Sequence, residues 1–441
     1  MTYADDRELR EEVYKAYISR ASDVGITSKD FDNRQIMDEI LELRSELSKL
    51  VGFSNFAEYS VESKMVDSPD GVIDFLDNLI ELSLPQANRE LIELEDFAGH
   101  ELMPWDLMYF SEKLKQKKFS FKKSDLKPYF PEKSVFDGLF QTIQNLYGIK
   151  LSVIDEDTYH DDVRVIELHD NKELIGRIYL DVYARENKRG GAWMSDYQGL
   201  YKDSLPVAFV VCNLNSPSEG KPALFDFDEI VTIFHEFGHA LHHLLTKVPF
   251  PCAAGISGVP WDGVELPSQY MENFCYEREV IDHISGHWET GEKLPDELFQ
   301  KVIDSKNFQS GMQMLRQCEF ALWDINTHIS EADTYEILSE VREKTSLIPI
   351  IKENRFLNAF SHIFSGGYAA GYFSYKWAEV LSADAFSKFE AEGLFNRQTG
   401  EQFLSTILEH GGSQDAMALF KAFRGREPSV DALLKQEGIA S

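Results

Sequence analysis

The chain has 441 residues, 43% of them hydrophobic, and a formal net charge of −31, enough apolar material for a large core in two or more lobes. So acidic a chain repels polyanions, which excludes nucleic acid and anionic membrane surfaces as expected partners. No basic segment followed by an apolar one opens the chain, and no run of about 18 apolar residues occurs, so a cytoplasmic location is expected.

Residues 5 to about 125 read as helical. Ile36, Ile40, Leu43, Leu47 and Leu50 fall at helical spacing with Gly52 as a stop, and Ser68-Pro69 supplies the cap and first residue of another helix. Such stripes are expected in the core. Lys113, Lys115, Lys117, Lys118, Lys122, Lys123 and Lys127 interleave with Phe119 and Phe121. In this acidic context they read as a solvated face or as partners of internal carboxylates, not as a nucleic-acid surface.

From about 150 to 215 the pattern changes from helical spacing to alternation. Val163, Val165 and the alternation of Ile178, Leu180 and Val182 with Tyr179, Asp181 and Tyr183 predict strands, with a turn at Asp170-Asn171. Val207 to Cys212 predicts a further strand. A sheet edge can pair with an extended peptide through backbone hydrogen bonds, and Arg185 to Trp193, including Gly190-Gly191-Ala192, is assigned to that edge. A glycine-containing loop of no special role is the alternative. Cys212, Cys252, Cys275 and Cys318 show no C-x-x-C pairing and suggest no disulfide framework.

Next comes His235-Glu236-Phe237-Gly238-His239, an H-E-x-x-H sequence inside a run with acidic residues at its start and apolar residues at helical spacing. Residues four apart on a helix lie one above the other, about 6 Å along the axis, so His235 and His239 can hold one metal ion between them. Zinc accepts neutral imidazole and in catalytic sites takes three protein ligands plus a water, on which Glu236 can act as general base. A metzincin-type third ligand would require Gly at 242 and His at 245, but the chain has His242 and Leu245 there. The other common solution is a glutamate from a following helix. Glu265 meets it, because Pro267 marks a helix's first turn just beyond it. Glu272 lies on the same face and suits a supporting role, as does Asp228, which could instead serve as a favourable charge at the helix N-terminus. His242 and His243 are expected to pack or hydrogen-bond beside the helix, and Asp384, His283 and His287 stand at no spacing that calls for chemistry.

Towards the C-terminus, His362 precedes Ser365-Gly366-Gly367, and Tyr368, Tyr372 and Tyr375 follow at i, i+4 and i+7. That spacing predicts three phenols on one helix face. A tyrosine stripe ordinarily packs in a core with its hydroxyls bonded. Here tyrosine or histidine donors also suit the oxyanion formed when water attacks a peptide carbonyl, and the Gly-Gly pair would let the segment move as substrate binds.

The segments His235 to His243, Val264 to Asn273, His362 to Trp377 and Tyr183 to Trp193 resemble the thimet oligopeptidase family of zinc peptidases, nearest to its bacterial branch, over essentially the whole chain. The resemblance implies a mainly α, two-lobed zincin-type fold with a small β-sheet, in which a deep channel admits only short unstructured peptides. Residues 1–149 would be a helical region of the channel wall. Residues 150–441 would form the zinc domain, with the sheet in 150–215 and a helical bundle in 216–441. Carried over, His235, His239 and Glu265 are the ligands of one zinc ion per chain and Glu236 is the base. His362 and Tyr375 stabilise the oxyanion, and Tyr368, Tyr372, Gly191 and Ala192 bind substrate. A monomer acting on short peptides by zinc-activated water is expected. Full-length members carry a further N-terminal helical region, so weaker exclusion of long peptides is also expected. The alternative function is a truncated, catalytically impaired peptide-binding module that retains its zinc.

Overall fold

The computed structural model describes residues 1–25, 29–119, 123–218 and 220–439, and it is mostly helical with one five-stranded sheet. Helices α1 (Arg7–Ile18), α2 (Arg34–Leu50), α3 (Phe56–Val61), α4 (Pro69–Ala98), α5 (Pro104–Phe119) and α6 (Glu132–Tyr147) come first. The strands are β1 (Ile149–Ile154), β2 (Arg164–Asp170), β3 (Glu173–Tyr183), β4 (Trp193–Gln198) and β5 (Val207–Leu214). Then follow α7 (Phe227–Leu244), α8 (Leu266–Phe274), α9 (Arg278–Ile284), α10 (Asp296–Lys306), α11 (Ser310–Ile329), α12 (Thr334–Thr345), α13 (Ser361–Phe364) and α14 (Ser374–Glu392), with shorter helices to Gln436. The chain forms two compact units, a helical unit of residues 1–120, 304–376 and 434–441 and a sheet-containing unit of residues 121–303 and 377–433.

In the helical unit, Ser68 caps α4 by accepting from the Gly71 N–H, Pro69 is its first residue, and Gly99 ends it at φ +78°. These are the stop and start signals that the sequence carries, each satisfying a backbone group the helix leaves open. The buried face of α4, with Val72, Leu76, Leu79 and Leu94, forms the core of this unit. Glu90 on that face is itself buried, and its carboxylate accepts from the N–H groups of Gly311 and Met312 at the start of α11. A carboxylate at a helix N-terminus is favoured by the helix dipole. At Gly311 the two helices touch: a Cβ would lie 2.7 Å from the Ala87 nitrogen.

The basic stretch finds charge partners. Lys113 pairs with Asp5 at 2.8 Å, Lys118 with Glu93 at 2.5 Å, and Lys127 approaches Asp226 at 3.5 Å. Phe121 and Lys122 lie outside the described residues.

One expectation is reversed. The α2 stripe is not core: Ile36, Leu43, Leu47 and Leu50 are 55%, 56%, 44% and 84% exposed, while Met37 and Ser48 face inward. Periodicity marks a helix as amphipathic, but it does not say whether anything covers the apolar side.

In the sheet-containing unit the strand order is β1-β2-β3-β5-β4, antiparallel except for the β3–β5 pair. Asn171, at φ +54°, turns the β2–β3 hairpin where Asp170-Asn171 predicts it. Ile178, Leu180 and Val182 are buried as the alternation requires. Asp181 is buried as well, because Arg185, Lys188 and the Tyr159 hydroxyl surround its carboxylate. All four cysteines are free thiols, and no helix among the described residues is long and apolar enough to cross a membrane.

Replacing Leu43 with Gln should change stability by no more than about 0.5 kcal/mol, whereas Leu76→Ala in α4 should cost about 2–5 kcal/mol. Urea denaturation of the two variants checks both figures. A large loss at Leu43 would mean that the stripe is covered.

Candidate active site

Helix α7 is started by a capping box. The Asp226 side chain accepts from the Glu229 N–H, and the Glu229 side chain accepts from the Asp226 N–H. The apolar face of α7, including Ile230, Ile233, Phe234, Phe237 and Leu241, is buried, which orients His235 and His239 together on the other side. Helix α8 opens at Leu266 with Pro267 in its first turn and Glu265 at the N-cap, as the sequence predicts. Glu265 makes no side-chain cap bond. Its Oε2 instead lies 3.0 Å from His239 Nε2 and 3.4 Å from His235 Nε2, and accepts from Ser268 Oγ at 2.7 Å.

What lets the helices approach is Gly238, in the middle of the motif. A Cβ there would lie 2.4 Å from the Pro267 carbonyl oxygen and 2.5 Å from Ser268 Cα. This requirement went unread in the sequence, although an isolated glycine inside an apolar-periodic helix is a recognised sign of close packing.

The donor atoms of His235, His239 and Glu265 all lie within 4.8 Å of one another, the one such group of three among the described residues. Ligands about 2.0–2.2 Å from a tetrahedral ion stand roughly 3.3 Å apart, so this set fits a divalent ion of zinc type. His235 Nδ1 is 2.6 Å from Glu272 Oε1, which leaves Nε2 to face the other two donors. Glu272 is therefore a carboxylate that orients this ring. His242 and His243 are buried, and the His243 Nε2 meets the Gln198 carbonyl at 2.9 Å, tying α7 to the end of β4. Asp384 is also structural, since its buried carboxylate accepts from Arg424, Arg426 and the Ser429 N–H.

The two glutamates of the cluster are driven in opposite directions. Burial acts to raise the Glu265 carboxyl, but the hydrogen bond and charge of His239, the charge of His235 and the Ser268 bond overcome it and hold it at about 2. Burial raises Glu236 above the ordinary carboxylate range, and the charges of His235 and His239 offset this only in part. Glu265 is thus held anionic, while Glu236 has the higher affinity for protons. His235 titrates above its ordinary value because its bond to Glu272 outweighs burial.

The sheet edge lies one step beyond its predicted position. Arg185 to Ala192 is a loop, and the edge strand is β4, from Trp193 to Gln198, with β5 as its ladder partner. The basic residues of the loop anchor it, because Arg185 and Lys188 both bond to Asp181. Asn213 donates to the carbonyls of Arg189 and Gly191, and Gly191 adopts φ +101°, a conformation that favours glycine.

His362 and the three tyrosines gather in the helical unit, but not on one helix face. Tyr368 and Tyr372 lie in turns, and α14 begins only at Ser374. Gly367 at φ +83° and Ala370 at φ +47° reverse the chain. Asp324, buried on α11, accepts from the N–H groups of Ala370, Gly371 and Tyr372, each at 2.9 Å, and so holds the turn. The rings meet all the same: Tyr368 stacks on Tyr375 with centroids 4.9 Å apart, and His362 lies 5.8 Å from Tyr372. The Tyr372 hydroxyl bonds to Gln317. The predicted site residues therefore form two clusters, one in each unit.

Fold and metal-type cluster together define a zincin-type peptidase. The profile of Peptidase family M3 matches residues 1–439, and the chain belongs to that family. Oligopeptidase A of Escherichia coli (strain K12) is 51% identical over 456 residues, covering 100% of this chain and 67% of that protein. The probable cytosolic oligopeptidase A of Arabidopsis thaliana is 43% identical over 469 residues, with 100% and 66% covered. Dipeptidyl carboxypeptidase of E. coli is 32% identical, with 98% and 65% covered. The chain thus spans about two thirds of the length of these relatives. Among solved structures, PZ peptidase A with inhibitor 2 aligns with a TM-score of 0.59 at 14% identity, covering 99% of this chain and 68% of that one. The M32 carboxypeptidase from Deinococcus radiodurans R1 aligns with a TM-score of 0.58 at 14% identity, with 98% and 79% covered. At this identity these two support the fold alone.

Gly238→Ala should cost about 1–3 kcal/mol by overpacking and should weaken divalent-metal binding by displacing Glu265. Urea denaturation and a metal titration check this, and unchanged metal affinity would refute the role given to the glycine. At Asp181, burial is outweighed by the bonds from Arg185, Lys188 and Tyr159, which hold the carboxyl at about 2, below its ordinary 3.8. Its contribution is fully present above the unfolded value and is lost as the pH falls through the folded one. Asp181→Asn should therefore cost about 2 kcal/mol at neutral pH, and the difference from the parent should shrink as the pH drops from about 4 towards 2. Denaturation curves at several pH values measure it.

Proposed function

We propose that the chain is a zinc-dependent oligopeptidase that hydrolyses internal bonds of short unstructured peptides, with His235, His239 and Glu265 holding one zinc ion. The observation that carries this reading is the convergence of two imidazole nitrogens and a carboxylate oxygen beside Glu236, whose Oε2 is buried with no hydrogen-bond partner among the described residues. When bound, zinc supplies a Lewis acid that polarises the scissile carbonyl and acidifies water.

The protein's own residues supply the proton transfers and the orientation. Glu265 offsets part of the ion's charge, and Glu272 fixes the His235 ring so that Nε2 keeps its lone pair for the metal. Glu236 takes the proton of the attacking water and delivers it to the leaving amine, a double role that its place between the two imidazoles of H-E-x-x-H supports. The outer edge of β4 offers backbone groups to an extended peptide, with Gly191 and Ala192 at its approach. His362 and Tyr375 carry the donors that a developing oxyanion requires, and Tyr368 and Tyr372 present aromatic surface to substrate. The names of the relatives support peptides as substrates. A monomer acting in the cytoplasm belongs to the same reading.

Cleavage of a quenched fluorescent short peptide should be abolished by a chelator and should track about one zinc per chain. Glu236→Gln should keep the zinc and lose at least about 100-fold in kcat. Full turnover by zinc-loaded Glu236→Gln protein would refute the assigned base, and a chain that binds no zinc would refute the metal site.

A further inference from the structure

The helical unit contains a cavity of about 780 Å³. Much of its wall is apolar, with Leu315, Phe320 and Phe360 among the lining residues, yet it carries three guanidinium groups, Arg20, Arg316 and Arg342, against one carboxylate, Glu319. In a chain of net charge −31 this is a local excess of positive charge. Glu319 is 3% exposed, and a single oxygen of it, Oε1, accepts from both Arg316 Nη1 at 2.7 Å and Arg342 Nε at 3.1 Å. Aromatic faces steady the two cations. Arg316 lies 4.3 Å above the Phe320 ring, and Arg342 lies 5.4 Å from that of Phe356. Burial, together with the neighbouring Arg316, holds Arg342 below its ordinary value despite Glu319. Two guanidinium groups on one carboxylate leave one positive charge and several N–H donors facing the cavity. A second carboxylate would neutralise the charge and take those donors in paired, planar bonds.

We propose that this cavity binds a carboxylate of a peptide ligand against Arg316 and Arg342. His362 and Tyr372 line the same cavity, and the inference rests on the reading of those two residues as substrate contacts. A peptide brings a carboxylate either as its C-terminus or as an acidic side chain, and the recognition chemistry is the same for both.

Fluorescence anisotropy with labelled pentapeptides tests it, using the full chain carrying Glu236→Gln so that nothing is consumed. The probes are a free acid, its C-terminal amide, and an amide in which a Gln is replaced by Glu. At least one carboxylate-bearing peptide should bind about tenfold more tightly than the neutral amide, and which one does so identifies the source. Arg316→Gln leaves a neutral Arg342–Glu319 pair, and it should reduce that preference to about onefold, while Arg316→Lys should retain part of it. Arg316 is 47% exposed, so both variants are expected to fold, and thermal melts verify this. Equal binding of all three peptides, no binding of any, or a preference untouched by Arg316→Gln would overturn the proposal. A parent chain that binds with this preference but cleaves nothing would count against the zinc peptidase reading alone.

Discussion

At Gly238 helix α7 presents bare backbone, and Pro267 and Ser268 of α8 occupy the space that a side chain would fill. That contact sets the separation between the imidazoles of one helix and the carboxylate at the head of the other. Glu265 then sits at the N-cap of α8, where the helix dipole favours an anion, and Ser268 from the next turn bonds its oxygen. Below this contact, Tyr270 stacks on Phe403 with centroids 4.4 Å apart, and Phe274, Phe386 and Phe389 close the packing around it. The precision of the cluster therefore comes from a missing methyl group above and an aromatic core beneath, both of which leave α8 little freedom to shift.

Buried carboxylates do comparable work elsewhere. Asp181 gathers Arg185 and Lys188 and so shapes the loop that enters β4, and Asp324 collects three backbone N–H groups and so shapes the turn that carries Tyr368 and Tyr372. The Asp324 network continues outward. His328 places Nδ1 against acceptors of Asp324, so this nitrogen carries the proton, and Nε2 is left to accept from Arg44. A charge this deeply buried is tolerable only when its bonds are complete, and its removal would strand several donors at once. Each of these acids links segments that are irregular in backbone, where no repeating ladder is available to hold the chain.

The residues that could be read from the sequence are those whose partners lie within a turn or two. H-E-x-x-H, Pro267 just beyond Glu265, Ser68-Pro69 and the Asp170-Asn171 turn all act through local geometry, and each lies in the helix, helix start or turn that its local pattern predicts. The tyrosines were grouped correctly for the wrong reason. The seven-residue spacing predicts one helix face, but the rings converge through a turn whose holder, Asp324, stands more than forty positions earlier in the chain. The α2 stripe failed differently. Ile36, Leu43 and Leu47 have the periodicity of a core face, yet burial depends on a neighbour that periodicity does not specify. Gly238 was visible as an oddity, since a glycine inside a helix costs about 1 kcal/mol relative to alanine, but only the position of α8 explains it.

The edge strand and the metal-type helix are tied to each other at the end of β4. The Gln198 carbonyl meets His243, two helical turns beyond Glu236 on α7. An extended peptide pairing with the outer edge of β4 would be held in one register, because backbone pairing fixes it along the strand to within a residue pair. On the proposed reading, the carbonyl brought beside Glu236 would then be selected by strand register and not by any one side chain.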